Sequence, residues 1–155
     1  MSHDVLFIDT SVLCNLIDVP GRDQHAATVK EEFRRLAHAG TRFVIPITTV
    51  IETGNHIANA SGDRRAAAKR LVALLELAET GTVPWQLHEI SWDGEFLAKL
   101  RAGASTGQSL VDLLGNALLG TGDVAILCER DAFRERTDFA SVGIWTLERT
   151  LAAYA

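Results

Sequence analysis

Asp4-Val-Leu-Phe-Ile-Asp-Thr-Ser-Val-Leu-Cys-Asn-Leu-Ile17 is the stretch on which the reading of the fold turns. Val5 to Ile8 is an unbroken run of strand-forming apolar residues, short enough for a strand buried on both faces. It stops at Asp9-Thr10-Ser11, and a helical spacing of Val12, Leu13, Leu16 and Ile17 takes over. In α/β proteins, ligands collect where the C-terminal end of a central parallel strand meets the start of a helix. Asp9 is therefore expected to be the first of several carboxylates around a divalent cation.

Outward from that stretch the alternation of strand and helix continues. Ala26, Val29, Phe33 and Leu36 form a helical stripe opposite Lys30, Glu31, Arg34 and Arg35, with Gly40 as its cap. Arg42 to Pro46 reads as a second strand, followed by a helix carrying Val50, Ile51, Glu52 and Ile57. Asp63 opens another helix, wet along Arg64, Arg65, Lys69 and Arg70 and dry along Leu71, Leu74 and Leu75. Trp85 to Ile90 is expected to be a third strand, and Ser109 to Leu119 a helix. Gly120-Thr-Gly122 then turns into Asp123 to Cys128, read as a fourth strand, and Val142 to Leu147 as a fifth. The expected architecture is one α/β domain over residues 1–155, a three-layer α/β/α sandwich with about five parallel strands.

Composition bounds the function. The chain is 47% hydrophobic and 23% charged, enough for a real core. No apolar run approaches the roughly 20 residues of a membrane span, and the first residues lack a secretory leader pattern, so a cytoplasmic chain is expected. Cys14 and Cys128 lie in apolar stretches without metal-ligand spacing and read as core residues in a reducing compartment. A net charge of −5 argues against a nucleic-acid coat protein, but not against a nuclease whose acidic site takes a metal.

Four acids fall at element boundaries: Asp9, Glu52, Asp112 and Asp131. In a parallel sheet the ends of strands and the starts of following helices share one edge, so these groups can converge. Each also has a plainer explanation. Thr49-x-x-Glu52 is a capping box and Ser109-x-x-Asp112 resembles one, while Asp9 could cap its own helix. Capping does not by itself explain an acid set directly after a wholly apolar strand. Clustered carboxylates suit Mg²⁺ or Mn²⁺, which take hard oxygen ligands, and such ions support phosphodiester hydrolysis.

Phe-Ile-Asp9-Thr-Ser, Thr-Thr-Val-Ile-Glu52, Ser-Leu-Val-Asp112 and Ala-Ile-Leu-Cys-Glu-Arg-Asp131-Ala-Phe follow one another in an order that resembles the PIN-domain nucleases. The resemblance spans nearly the whole chain. It implies a Rossmann-like fold that cleaves RNA with Mg²⁺ or Mn²⁺, with Asp9, Glu52, Asp112 and Asp131 as metal ligands or water-activating acids. It also implies a hydroxyl from Thr10 or Ser11 beside the first aspartate. Family members usually carry Thr-x-Asp near the fourth acid; this chain has Cys-Glu-Arg-Asp there, so Glu129 competes with Asp131 for that role. Small stand-alone prokaryotic members are often toxins, which makes an antitoxin protein an implied partner beside the RNA.

Other residues carry weaker signals. Asn116 sits one turn beyond Asp112 and could orient it, and His56 one turn beyond Glu52. Arg64, Arg65, Lys69 and Arg70 form the densest basic cluster, either a solvated face or a lining for RNA phosphates. The apolar faces around Leu71–Leu77 and Leu110–Leu119 suggest a homodimer. A dinucleotide-binding protein would need a glycine-rich turn after the first strand, and Asp9-Thr-Ser has none. The rival of a different class is an inactive PIN-like module that binds RNA or protein.

Overall fold

The computed structural model describes residues 3–155. Strand β1, Val5–Ile8, is buried at all four positions and lies at the centre of the sheet. It pairs in parallel with β2, Arg42–Val44, on one side and with β3, Val142–Trp145, on the other. Leu6 stands opposite Phe43 and Gly143, and Phe7 opposite Val44 and Ile144.

The period of two along these strands divides the core in two. Leu6, Ile8 and Phe43 pack on one face with side chains of α1 (Thr10–Leu16), α2 (Ala26–His38), α3 (Ile47–Ala58) and α4 (Arg64–Glu79). Val5, Phe7, Val44, Val142 and Ile144 pack on the other. There they meet α5 (Gly94–Arg101), α6 (Leu110–Gly115), α7 (Thr121–Arg136) and α8 (Arg149–Ala152). The chain is thus an α/β protein with helices on both faces of a parallel sheet, compatible with a three-layer α/β/α arrangement.

Among the described residues the sheet has three strands, not the five expected. Trp85 forms a single parallel bridge to Phe43, and no strand follows it. Its would-be partner runs out, because β2 ends at Val44 and Pro46 already caps α3. Asp123 to Cys128 is the first half of α7 rather than a strand. A helix wedged between the sheet and its neighbours is buried all round, so its apolar run looks the same in sequence as that of a buried strand. Helix α6 also stops at Gly115, four residues short of Leu119, with Asn116 as its cap and Ala117 in the left-handed region at φ 51°. No helix among the described residues is long and apolar enough to cross a membrane.

This topology gathers three segments at the C-terminal edge of the strands. Asp9 follows β1, α3 follows β2, and Thr146-Leu-Glu148 follows β3. The N-terminus of α7 joins them, and α3 and α7 are in contact.

Candidate active site

Asp9 is 3% exposed at the N-cap position of α1, yet its side chain caps nothing. Its Oδ2 instead accepts hydrogen bonds from Ser11 Oγ at 2.9 Å and Thr146 Oγ1 at 2.7 Å. The Leu147 N–H donates to Ser11 Oγ at 2.9 Å, which fixes that hydroxyl's orientation. The end of β3 therefore holds the acid at the end of β1, and Oδ1 makes no protein hydrogen bond among the described residues. The capping explanation for Asp9 is ruled out by this geometry.

The capping explanation for Glu52 fails as well. The N-cap of α3 is Pro46, and Thr49 Oγ1 donates to the Ile8 carbonyl at 2.8 Å instead of closing a capping box. Glu52 Oε2 accepts from Thr10 Oγ1 at 2.7 Å, which ties α3 to the residue beside Asp9. Its Oε1 lies against the backbone of Gly122, in the space a Cβ there would take.

Two acids that the sequence reading passed over complete the group. Asp123 is in the first turn of α7, where Oδ2 accepts the Gly120 N–H at 3.3 Å. Burial pushes its pKa up, the Gly120 bond opposes this, and the charges of Asp9, Glu52 and Glu148 push it further up. Glu148 arrives with β3, two residues after the Thr146 that bonds Asp9. Asp9, Glu52, Asp123 and Glu148 all line one cleft of about 530 Å³, together with Thr10, Ser11, Asn15, Arg22, His25 and His56. A signal for both was present. Asp123 stands three residues after Gly120, where an acid stabilises a helix start, and Glu148 follows a strand of the same sheet as Asp9 does.

The other expected site residues lie elsewhere. Asp112 is exposed on α6 in a reciprocal cap: its N–H donates to Ser109 Oγ at 3.2 Å and Ser109 Oγ donates to its Oδ2 at 3.0 Å. Asn116 is the exposed cap at the other end of that short helix. Asp131 is two turns along α7 from Asp123, held by Arg130 at 2.6 Å and Arg134 at 3.1 Å. Glu129 is sealed in the core. None of these four lines the cleft. The basic cluster is also elsewhere. Arg70 donates to the Ile17 and Asp18 carbonyls at 2.6 and 2.9 Å, and Arg64, Arg65 and Lys69 line shallower grooves along α4.

The four acids with Thr10 and Ser11 bring carboxylate and hydroxyl oxygens to the cleft, the ligand type that Mg²⁺ and Mn²⁺ take, and the imidazoles of His25 and His56 line it as well. The mutual push on Asp123 is the repulsion a bound cation would relieve. Among the described residues no three His, Cys, Asp or Glu side chains close into a tight chelating cluster. His56, on the turn of α3 after Glu52, has its pKa lowered by burial and by Arg22, with Glu52 opposing. No family model, curated protein or solved structure matches this chain.

Proposed function

We propose that this chain is a Mg²⁺- or Mn²⁺-dependent ribonuclease of the PIN type, hydrolysing RNA phosphodiester bonds at Asp9, Glu52, Asp123 and Glu148. The observation that carries the reading is the crowding of these four acids in one cleft, with Asp123 raised first by burial and then by the charges of the other three. Thr146-Leu-Glu148 supports it too, since it is close to the family's Thr-x-Asp, with Glu in place of Asp, at the strand end next to Asp9. The resemblance alone supports a toxin role with an antitoxin partner.

Each side chain has a definable task. Ser11 and Thr146 orient Asp9 through Oδ2 and leave Oδ1 for a ligand. Thr10 orients Glu52, and Gly120 orients Asp123. These four acids would hold the cation, which when bound supplies charge for the developing oxyanion and lowers the pKa of water. Burial, and after it the charges of its neighbours, favour the neutral form of Asp123 when no cation is there.

The test is cleavage of labelled RNAs in Mg²⁺ and in Mn²⁺. The wild-type chain should cleave and EDTA should stop it, while Asp9→Asn and Asp123→Asn should each lose at least about a hundredfold in rate. Asp112→Asn and Asp131→Asn should retain activity close to wild type. Loss in Asp112→Asn with retention in Asp123→Asn would reverse the assignment of the third acid. The second reading is an inactive module that binds RNA or protein, and the observation behind it is Cys128-Glu-Arg-Asp131 standing where the family carries Thr-x-Asp. Failure to cleave any of several RNAs in either cation would select it.

A further inference from the structure

We propose that Arg22 is the phosphate-gripping residue of the cleft, presented by a pinned loop so that its guanidinium takes an RNA phosphodiester beside the acids. The RNA substrate rests on the nuclease reading; the placement of Arg22 does not. Residues 17–25 join α1 to α2, and Gly21, Arg22, Gln24 and His25 of this loop line the cleft with the four carboxylates.

A loop of this kind could be slack, but here both ends and the middle are fastened. Arg70 of α4 donates to the carbonyls of Ile17 and Asp18, and Lys30 of α2 pairs with Asp18 at 2.5 Å. Val19 is wholly buried, and Pro20 fills the space beside Gly62. Gly21 makes the turn at φ 80°. At the far end, Asn15 Oδ1 accepts the His25 N–H at 2.8 Å while its Nδ2 donates to the Ser11 carbonyl at 2.8 Å. Ser11 in turn bonds Asp9, so the loop and the first acid share one hydrogen-bonded frame.

Arg22 stands apart from most other arginines of the chain. Its backbone N–H bonds the Val19 carbonyl at 2.9 Å, yet its guanidinium makes no hydrogen bond or ion pair among the described residues. It is also the one Lys or Arg lining the cleft among the described residues. Its charge is felt by two other lining residues, lowering the pKa of His56 and opposing the rise in Cys14. A rigid loop that displays an unpaired guanidinium in an acid-lined cleft is arranged for an anion from outside. Among anions, a phosphodiester offers two oxygens at the spacing of the guanidinium fork, and Arg remains charged at any working pH. An RNA strand entering an acidic cleft needs such a fixed positive contact in addition to the cation.

The alternative is that Arg22 merely balances the carboxylates. Equilibrium binding separates the two. Fluorescence anisotropy of a short labelled single-stranded RNA would be followed in Ca²⁺ at several salt concentrations, with gels confirming that the RNA stays intact. Arg22→Gln should weaken Kd roughly tenfold and flatten the log Kd against log salt slope by about 0.7, with an unchanged melting temperature. Arg22→Lys should keep the slope and recover part of the affinity, since it restores the charge without the fork. Equal Kd and slope in wild type and Arg22→Gln, or no RNA binding by the wild type, would overturn the proposal. Binding that depends on Arg22 in a chain that cleaves nothing in Mg²⁺ or Mn²⁺ would leave this inference standing and remove the nuclease reading alone.

Discussion

Glu129 and His88 face each other inside the core between the sheet and α7, with Glu129 Oε2 and His88 Nε2 3.9 Å apart and none of these side-chain atoms hydrogen-bonded. Burial pushes Glu129 up to about 7, with the Ile47 amide opposing, while burial and then the charge of Arg136 push His88 down to about 4. Both groups are neutral over most of that range, so their approach is not an ion pair. Arg136 Nη2 lies 3.3 Å from His88 Nδ1 and can only donate, which assigns the ring hydrogen to Nε2, facing Glu129. Between pH 4.5 and 6.5 the unfolded chain carries one proton on this pair, on the histidine, and the folded chain also carries one, on the glutamate. The two linkages cancel, and the pair contributes almost no pH slope there. Single substitutions should expose each half. In Glu129→Gln only the unfolded His88 takes up a proton, so stability rises with pH from about 4 to 6.5. In His88→Phe, a ring that suits the edge contacts with Phe7 and Phe133, stability should fall from pH 4.5 to about 7 as the unfolded Glu129 ionises first. Each change amounts to about 3 kcal/mol over its window. Urea melts across pH would check this, and two flat profiles would show the pair to be ionised or solvated instead.

At the scale of elements, α7 governs the site. It begins with Thr121-Gly122-Asp123, and its first turn brings Asp123 beside Glu52 of α3. Gly122 is required for that approach, because a Cβ on it would fall on Glu52 Oε1. Gly122→Ala should therefore move the end of a flexible side chain, not the backbone. Alanine also favours the helix by up to about 1 kcal/mol. The expected result is a melting temperature equal to or above wild type, with RNA cleavage reduced about tenfold or more as Glu52 leaves its bond to Thr10. Unchanged cleavage would show that Glu52 need not sit there. The same element marks what was legible in the sequence. Val5–Ile8 and Asp9 were readable because a short apolar run ended in an acid with little else to do. Asp123 was hidden because Val124 to Cys128 is buried on every side, which removes the period of 3.6 that would have identified a helix. A strand over 123–128 would set Asp131 just beyond its C-terminal end, and Asp112 stands in the first turn of its own helix, so in sequence these two present themselves as the third and fourth acids. One of these is a cap and the other an arginine partner. The length of α7 was the surviving clue, since helical character continues through Arg136 and no strand of this sheet is nearly so long.

At the scale of the whole molecule, the two cores are filled but part of the helical surface is not covered. Single exposed apolar side chains need no explanation. Helix α6 is different: six residues long, it buries Leu113 and leaves Val111 77% and Leu114 47% exposed, with Leu118 exposed just beyond it. A helix this short owes its stability to packing rather than to propensity, and Leu113 with the half-buried Leu110 is little packing. Trp92 and Leu97, at and beside the start of α5, are also exposed, and α5 is in contact with α6. A second copy of the chain that covers α5 and α6 would supply the missing contacts. It would also remove from water side chains worth about 1.5–3 kcal/mol each when fully buried. Light scattering at micromolar concentration should then give twice the chain mass of 16.8 kDa. Val111→Glu combined with Leu114→Glu should shift the mass to that of one chain and lower the melting temperature only as far as α6 loses its cover. Neither side chain belongs to either core, so the substitutions leave both cores intact. A wild-type chain that is monomeric at these concentrations would show that Leu110, Leu113 and the caps suffice to hold α6 within one chain.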